Sequence, residues 1–111
     1  MDKLIGLLGI CRRAGHAQVG FDAAADAIRK GKAGAVLLAR DVSEKTAKEI
    51  RFAAEGKRTV VAAAPLDKAE MGHALGYEKA VGVVAVDDKG LSAAIIKLIQ
   101  PNKEDEGYAA Q

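Results

Sequence analysis

Cys11, His16 and His73 are the side chains in this sequence best suited to act as nucleophile, general base or soft metal ligand. A thiolate activated by an imidazole would support acyl transfer, and a Cys-His set at the right spacing would hold zinc. Neither arrangement is present. No Cys-His or His-His pair has the spacing of a metal motif, and Cys11 falls on the apolar stripe of an N-terminal helix, where a buried, inert thiol is expected. His16 reads as an exposed side chain. Asp87 and Asp88 are adjacent carboxylates that immediately precede a helical pattern, so they read as capping residues and not as an acid/base pair. The sequence Gly31-Lys32-Ala33-Gly34 lacks both the spacing and the hydroxyl of a phosphate loop. Gly6 and Gly9 lie inside an apolar helical pattern and not after a strand, so they form no dinucleotide fingerprint. The chain reads as non-catalytic, with no metal and no cofactor.

Binding is what remains, and residues 19–32 are the stretch best built for it. Gly20 can take backbone angles closed to other residues. Asp22 and Asp26 suit the positive end of a helix dipole, and Ala24, Ala25 and Ile28 give a narrow apolar stripe before the basic exit Arg29-Lys30 and the stop at Gly31. The first turn, with Phe21 beside it, is left free to meet a partner.

The elements that must hold this stretch follow from periodicity. Leu4, Ile5, Leu7, Leu8, Cys11 and Ala14 recur at helical spacing, and Arg12-Arg13 with Gly15 mark the helix end. Residues 17–19 are a short strand, and residues 35–39, 59–64 and 81–86 are apolar runs of strand length. Ser43 caps a helix running to Glu55, with Ala47, Ile50 and Ala54 on one face. Asp67 and Glu70 have capping-box spacing for a short helix carrying Met71, Ala74 and Leu75, and residues 77–80 form a loop. Leu91, Ala94, Ile95, Leu98 and Ile99 belong to a final helix that Pro101 ends. Helix and strand alternate, and strands apolar along their whole length need cover on both faces. The expected fold is therefore a three-layer α/β/α sandwich on a four-stranded sheet, one domain over residues 1–100. Residues 101–111 are expected to be a disordered tail.

Composition agrees. A chain of 111 residues is a single domain by size, and half of it is apolar, mostly small aliphatic, which suits helices packed closely on a sheet. No apolar run approaches the roughly 18 to 20 residues of a membrane span, and the lone cysteine fits a reducing compartment, so a cytoplasmic location is expected. The net charge is +2, but residues 1–58 hold 12 Lys and Arg against 7 Asp and Glu, while residues 59–111 hold 5 against 8. A basic half that contains the binding stretch favours an anionic partner such as RNA.

Three separated motifs, in order, carry a resemblance. Residues 4–15 (Leu-Ile-Gly-Leu-Leu-Gly-Ile-Cys-Arg-Arg-Ala-Gly), the Gly20 helix ending in residues 27–33, and residues 70–76 (Glu-Met-Gly-His-Ala-Leu-Gly) together resemble the ribosomal-protein L7Ae superfamily, most nearly its bacterial YlxQ-type branch. The similarity spans residues 3–100. It implies a mixed sheet and the binding of structured RNA, typically kink-turns, in or around the ribosome, with ribosomal or assembly proteins as further partners. It also implies where RNA would be held: at the second helix start through Gly20, Phe21, Asp22, Ala23 and Asp26, at Lys68, and at the loop of Tyr77, Glu78, Lys79 and Ala80. Helix amides with Lys68 and Lys79 suit phosphates, while Phe21 and Tyr77 offer planes for unstacked bases. Kink-turn binders of the superfamily usually carry Asn-Glu after the helix start and a Lys one turn on. This chain has Asp22-Ala23 and then Asp26. A protein-interaction module on the same scaffold is the alternative, with that face presenting apolar and acidic groups.

Overall fold

The computed structural model describes residues 2–100, so the expected tail lies outside the described residues. Nine elements alternate: α1 (Asp2–Arg13), β1 (Ala17–Val19), α2 (Phe21–Arg29), β2 (Ala35–Leu38), α3 (Glu44–Ala54), β3 (Val60–Ala63), α4 (Lys68–Ala74), β4 (Val83–Val86) and α5 (Lys89–Ile99). The strands form one mixed sheet in the order β1-β4-β2-β3. β2 runs parallel to β3, and β4 runs antiparallel to both β1 and β2.

Strand side chains alternate between faces, and each face has its own core. Leu37, Val84 and Val86 point to one side, where Leu4, Leu8 and Cys11 of α1, Met71 of α4 and Ile95 of α5 cover them. Val36, Leu38, Val83 and Ala85 point to the other, against Ala24, Ala27 and Ile28 of α2 and Ile50 and Ala54 of α3. Three layers result. The close fit is visible at Gly72, where a Cβ would overlap the Lys79 carbonyl oxygen, so the loop after α4 can return flush along the helix.

The local signals differ from the structure in instructive places. In α2 the buried stripe is Ala24, Ala27 and Ile28, with Ala25 half-buried, because 24, 27 and 28 share one face at 3.6 residues per turn. Ala14 is exposed, one residue past the end of α1. β3 is an edge strand with Val60 and Ala63 exposed, so its apolar run is not covered along its whole length. β4 starts at Val83 and not at residue 81, since the Val81 N–H donates to the Lys68 carbonyl (2.9 Å), which ties the chain to α4.

Candidate nucleic-acid interface

The register fixes which loops meet. Leu38 lies opposite Val83 and Val19 opposite Val84, so the chain leaving β1 and β2 and the chain approaching β4 share one end of the sheet. There Gly20 donates its N–H to the Val83 carbonyl (2.9 Å), and Ala39 donates to the Gly82 carbonyl (2.8 Å). Gly20 has φ 100° and ψ 166°, a conformation that L side chains rarely adopt. It turns the chain straight from β1 into α2.

The cap of α2 sets it apart. Ser43, Asp67 and Asp88 each cap α3, α4 and α5 with a side-chain oxygen, whereas Gly20 caps α2 without one. The first N–H groups of α2 therefore lack a side-chain acceptor, at the helix end where the dipole is positive. Phe21 and Asp22 are exposed beside them, and Ala23 is half-buried.

Lys68 opens α4 at the same end. Its N–H donates to Asp41 Oδ1 (2.8 Å), and its side-chain stem passes about 3.7 Å from where a Gly82 Cβ would stand. Two acids beside it are engaged. Asp67 and Glu70 close a reciprocal capping box, with the Arg40 guanidinium 3.8 and 3.7 Å from their carboxylates. Lys68 is in no ion pair among the described residues. Asp41, Val42, Arg40 and Gly82 complete this end. The sequence offers no local signal for them, because only the pairing of β4 with β1 and β2 sets the residues after β2 beside those before β4.

The structure brings Gly20, Phe21, Asp22, Lys68 and the end of the loop at Ala80 together. Tyr77 is placed differently. Its N–H bonds to the Gly72 carbonyl (2.8 Å), and its ring lies beneath the Arg12 guanidinium, 4.8 Å from the centroid, with the Lys79 ammonium at 5.9 Å. The ring thus has the Arg12 cation of α1 and the Lys79 cation of its own loop beside it, and Glu78 and Lys79 are exposed between it and Ala80. Asp26 is placed differently too. It pairs with Arg29 and with Lys30 (3.0 Å) in the last turn of α2, and its hydrogen bond to Lys30 holds its carboxyl below the ordinary value, with Arg29 and Lys32 adding to the effect. It serves the helix C-terminus and not the first turn.

The residues weighed for chemistry separate as well. Cys11 is fully buried, and desolvation, with the nearby Asp88 carboxylate, pushes its thiol up. His16 is half-buried and pairs through Nδ1 with Asp87 Oδ1 (2.7 Å), while Gln18 donates to Asp87 Oδ2 (2.9 Å). Asp88 caps α5 as expected, but Asp87 does not: it ties the turn before β1 to the end of β4. His73 is exposed on α4. No group of three or more His, Cys, Asp or Glu among the described residues could hold a metal ion, and no described helix is long and apolar enough to cross a membrane.

Comparison with known proteins follows this architecture. A family model for the Ribosomal protein L7Ae/L30e/S12e/Gadd45 family matches residues 2–96. Among solved structures, a protein of unknown function from Bacillus halodurans superposes with a TM-score of 0.82 at 26% identity, covering 89% of this chain and 98% of that one. A 15.5kD RNA binding protein from Giardia lamblia superposes with a TM-score of 0.71 at 20% identity, covering 88% of this chain and 85% of that one. The curated proteins give no match. The chain belongs to the Ribosomal protein L7Ae/L30e/S12e/Gadd45 family.

Proposed function

We propose that this protein is a non-catalytic, cytoplasmic RNA-binding protein that acts on structured RNA in or around the ribosome. It would bind through residues 20–23, Lys68 and residues 78–82. The observation that carries the reading is that α2, alone among the four helices whose N-cap is described (α2 to α5), is capped without a side chain, and that this cap shares an end of the sheet with Lys68. Uncapped amides and an unpaired ammonium suit phosphate oxygens. Family membership and the RNA-binding neighbour support RNA as the partner, and the three sequence motifs support the bacterial YlxQ-type branch.

Ala23 offers no hydrogen-bonding group to a base edge, so phosphate and shape contribute more than base readout, and a kink-turn would be held by its bent backbone. The protein-interaction alternative has less support at this face. Phe21 is its one exposed large apolar side chain among the described residues, and Asp26 is neutralised by Arg29 and Lys30.

The test is a binding titration with an RNA hairpin that carries an internal loop. Replacing Lys68 and Lys79 together by Ala should flatten the log-log salt dependence of affinity by about two, one for each lost phosphate contact. An unchanged slope would place RNA elsewhere on the molecule.

A further inference from the structure

The positive charge of this chain is concentrated away from the interface just described. At the opposite end of the sheet, where Ala35 lies beside Val60 and Val86, the loops after α2, α3 and β4 enclose a cavity of about 400 Å³. Lys32, Lys57, Arg58 and Lys89 line it, with Asp87 as the one carboxylate. The loops are fastened to each other. Gly34 donates its N–H to the Val86 carbonyl (2.8 Å), Val60 donates to the Gly34 carbonyl (3.1 Å), and the Thr59 hydroxyl donates to the Ala33 carbonyl (2.7 Å).

Helix ends account for part of this charge. Lys57 donates to the Arg29 carbonyl at 3.4 Å, and Arg29 and Lys30 complement the α2 C-terminus while pairing with Asp26. They do not account for Lys32, Arg58 or Lys89. None of these three is in an ion pair among the described residues, and all are exposed. Lys89 even occupies the first position of α5, where the dipole disfavours a cation. Three neighbouring acids are committed: Asp87 to His16 and Gln18, Asp88 to the Leu91 N–H, Asp26 to Arg29 and Lys30. Glu55, the C-cap of α3, is exposed and in no ion pair among the described residues, a single charge against the cluster.

We propose that this basic cavity is a second phosphate-binding surface that takes an RNA backbone, so that one molecule of the protein bridges two RNA segments at opposite ends of its sheet. The proposal rests on the RNA reading above. Long exposed cations spread over three loops fit an extended polyanion, whose binding releases counterions contact by contact. A small-anion site would instead need buried donors converging on one point. Because the loops are already joined by hydrogen bonds, little ordering has to accompany binding.

The test uses the full chain and a blunt RNA duplex without bulges. With the triple variant Lys32→Ala, Arg58→Ala, Lys89→Ala, the salt slope for that duplex should fall by about three. In sedimentation with the internal-loop hairpin and the duplex both in excess, the complex that holds one of each should give way to one that holds the hairpin alone. The single charge reversal Arg58→Glu, at a loop residue with no side-chain hydrogen bond or ion pair among the described residues, should weaken binding while leaving the thermal melt unchanged. If the pole variants leave slope and stoichiometry unchanged while Lys68→Ala with Lys79→Ala still weakens hairpin binding, the second surface is refuted and the first stands. If neither set of substitutions has an effect, the RNA reading fails with it.

Discussion

Single residues in this chain divide between those that only pack and those left free to act, and Cys11 is a clear case of the first. Its thiol is completely buried beneath α1, and burial raises its pKa, with Asp88 adding to the effect. The neutral form is therefore the one the fold accommodates. Because the folded value lies above the ordinary 9.0, the associated stability is present below that pH and is lost as pH rises through the folded value. Thiolate chemistry requires local opening. A chromogenic thiol reagent at neutral pH should label the native protein at least about 100-fold more slowly than the urea-unfolded chain. Stoichiometric labelling of the native protein within minutes would contradict this placement and reopen a redox role. Gly20 belongs to the second group: having no side chain, it leaves the first amides of α2 available, which the Ser43, Asp67 and Asp88 side chains do not do for theirs.

Among the elements, α4 depends most on its cap, since it has only seven residues and must present Lys68 at its first position. Asp67 and Glu70 satisfy each other's backbone N–H groups at 2.8 and 2.9 Å. Replacing Asp67 by Ala should cost about 1 kcal/mol in a urea denaturation and loosen the first turn of α4. An unchanged midpoint would show that tertiary packing of Met71 and Leu75 alone holds the helix. Caps of this kind were legible in the sequence, as were the apolar runs, because both are set by residues a few positions apart. The sheet order β1-β4-β2-β3 was not. It depends on pairings between distant segments, and so the meeting of Arg40, Asp41 and Gly82 with Gly20 and Lys68 could not be read from local pattern. The surroundings of Tyr77 and Asp87 were hidden for the same reason, whereas the pairing of Asp26 with residues three and four positions on is local. The partners that claim them, Arg12 for Tyr77 and His16 for Asp87, come from other elements, and Asp26 is drawn to the far end of its own helix.

At the scale of the whole molecule, the mixed sheet separates two kinds of surface. One end carries open helix amides, Lys68 and an exposed aromatic, with Asp67 and Glu70 tied up in a cap and against Arg40, while Asp22 and Glu78 stay exposed and in no ion pair among the described residues. The other carries the concentrated positive charge. Four-residue strands put roughly 10 Å of sheet between them, and the flanking loops add to that distance, so neither end can substitute for the other in contacting a given phosphate. RNA is proposed to meet the end built from Gly20, Lys68 and Gly82. A nuclear magnetic resonance titration of the isotope-labelled protein with an internal-loop hairpin, followed through backbone amide shifts, measures this directly. The amides of Gly20, Phe21, Asp22, Lys68 and Gly82 should move together and saturate with one binding curve. A saturating titration that leaves these five amides in place would contradict it.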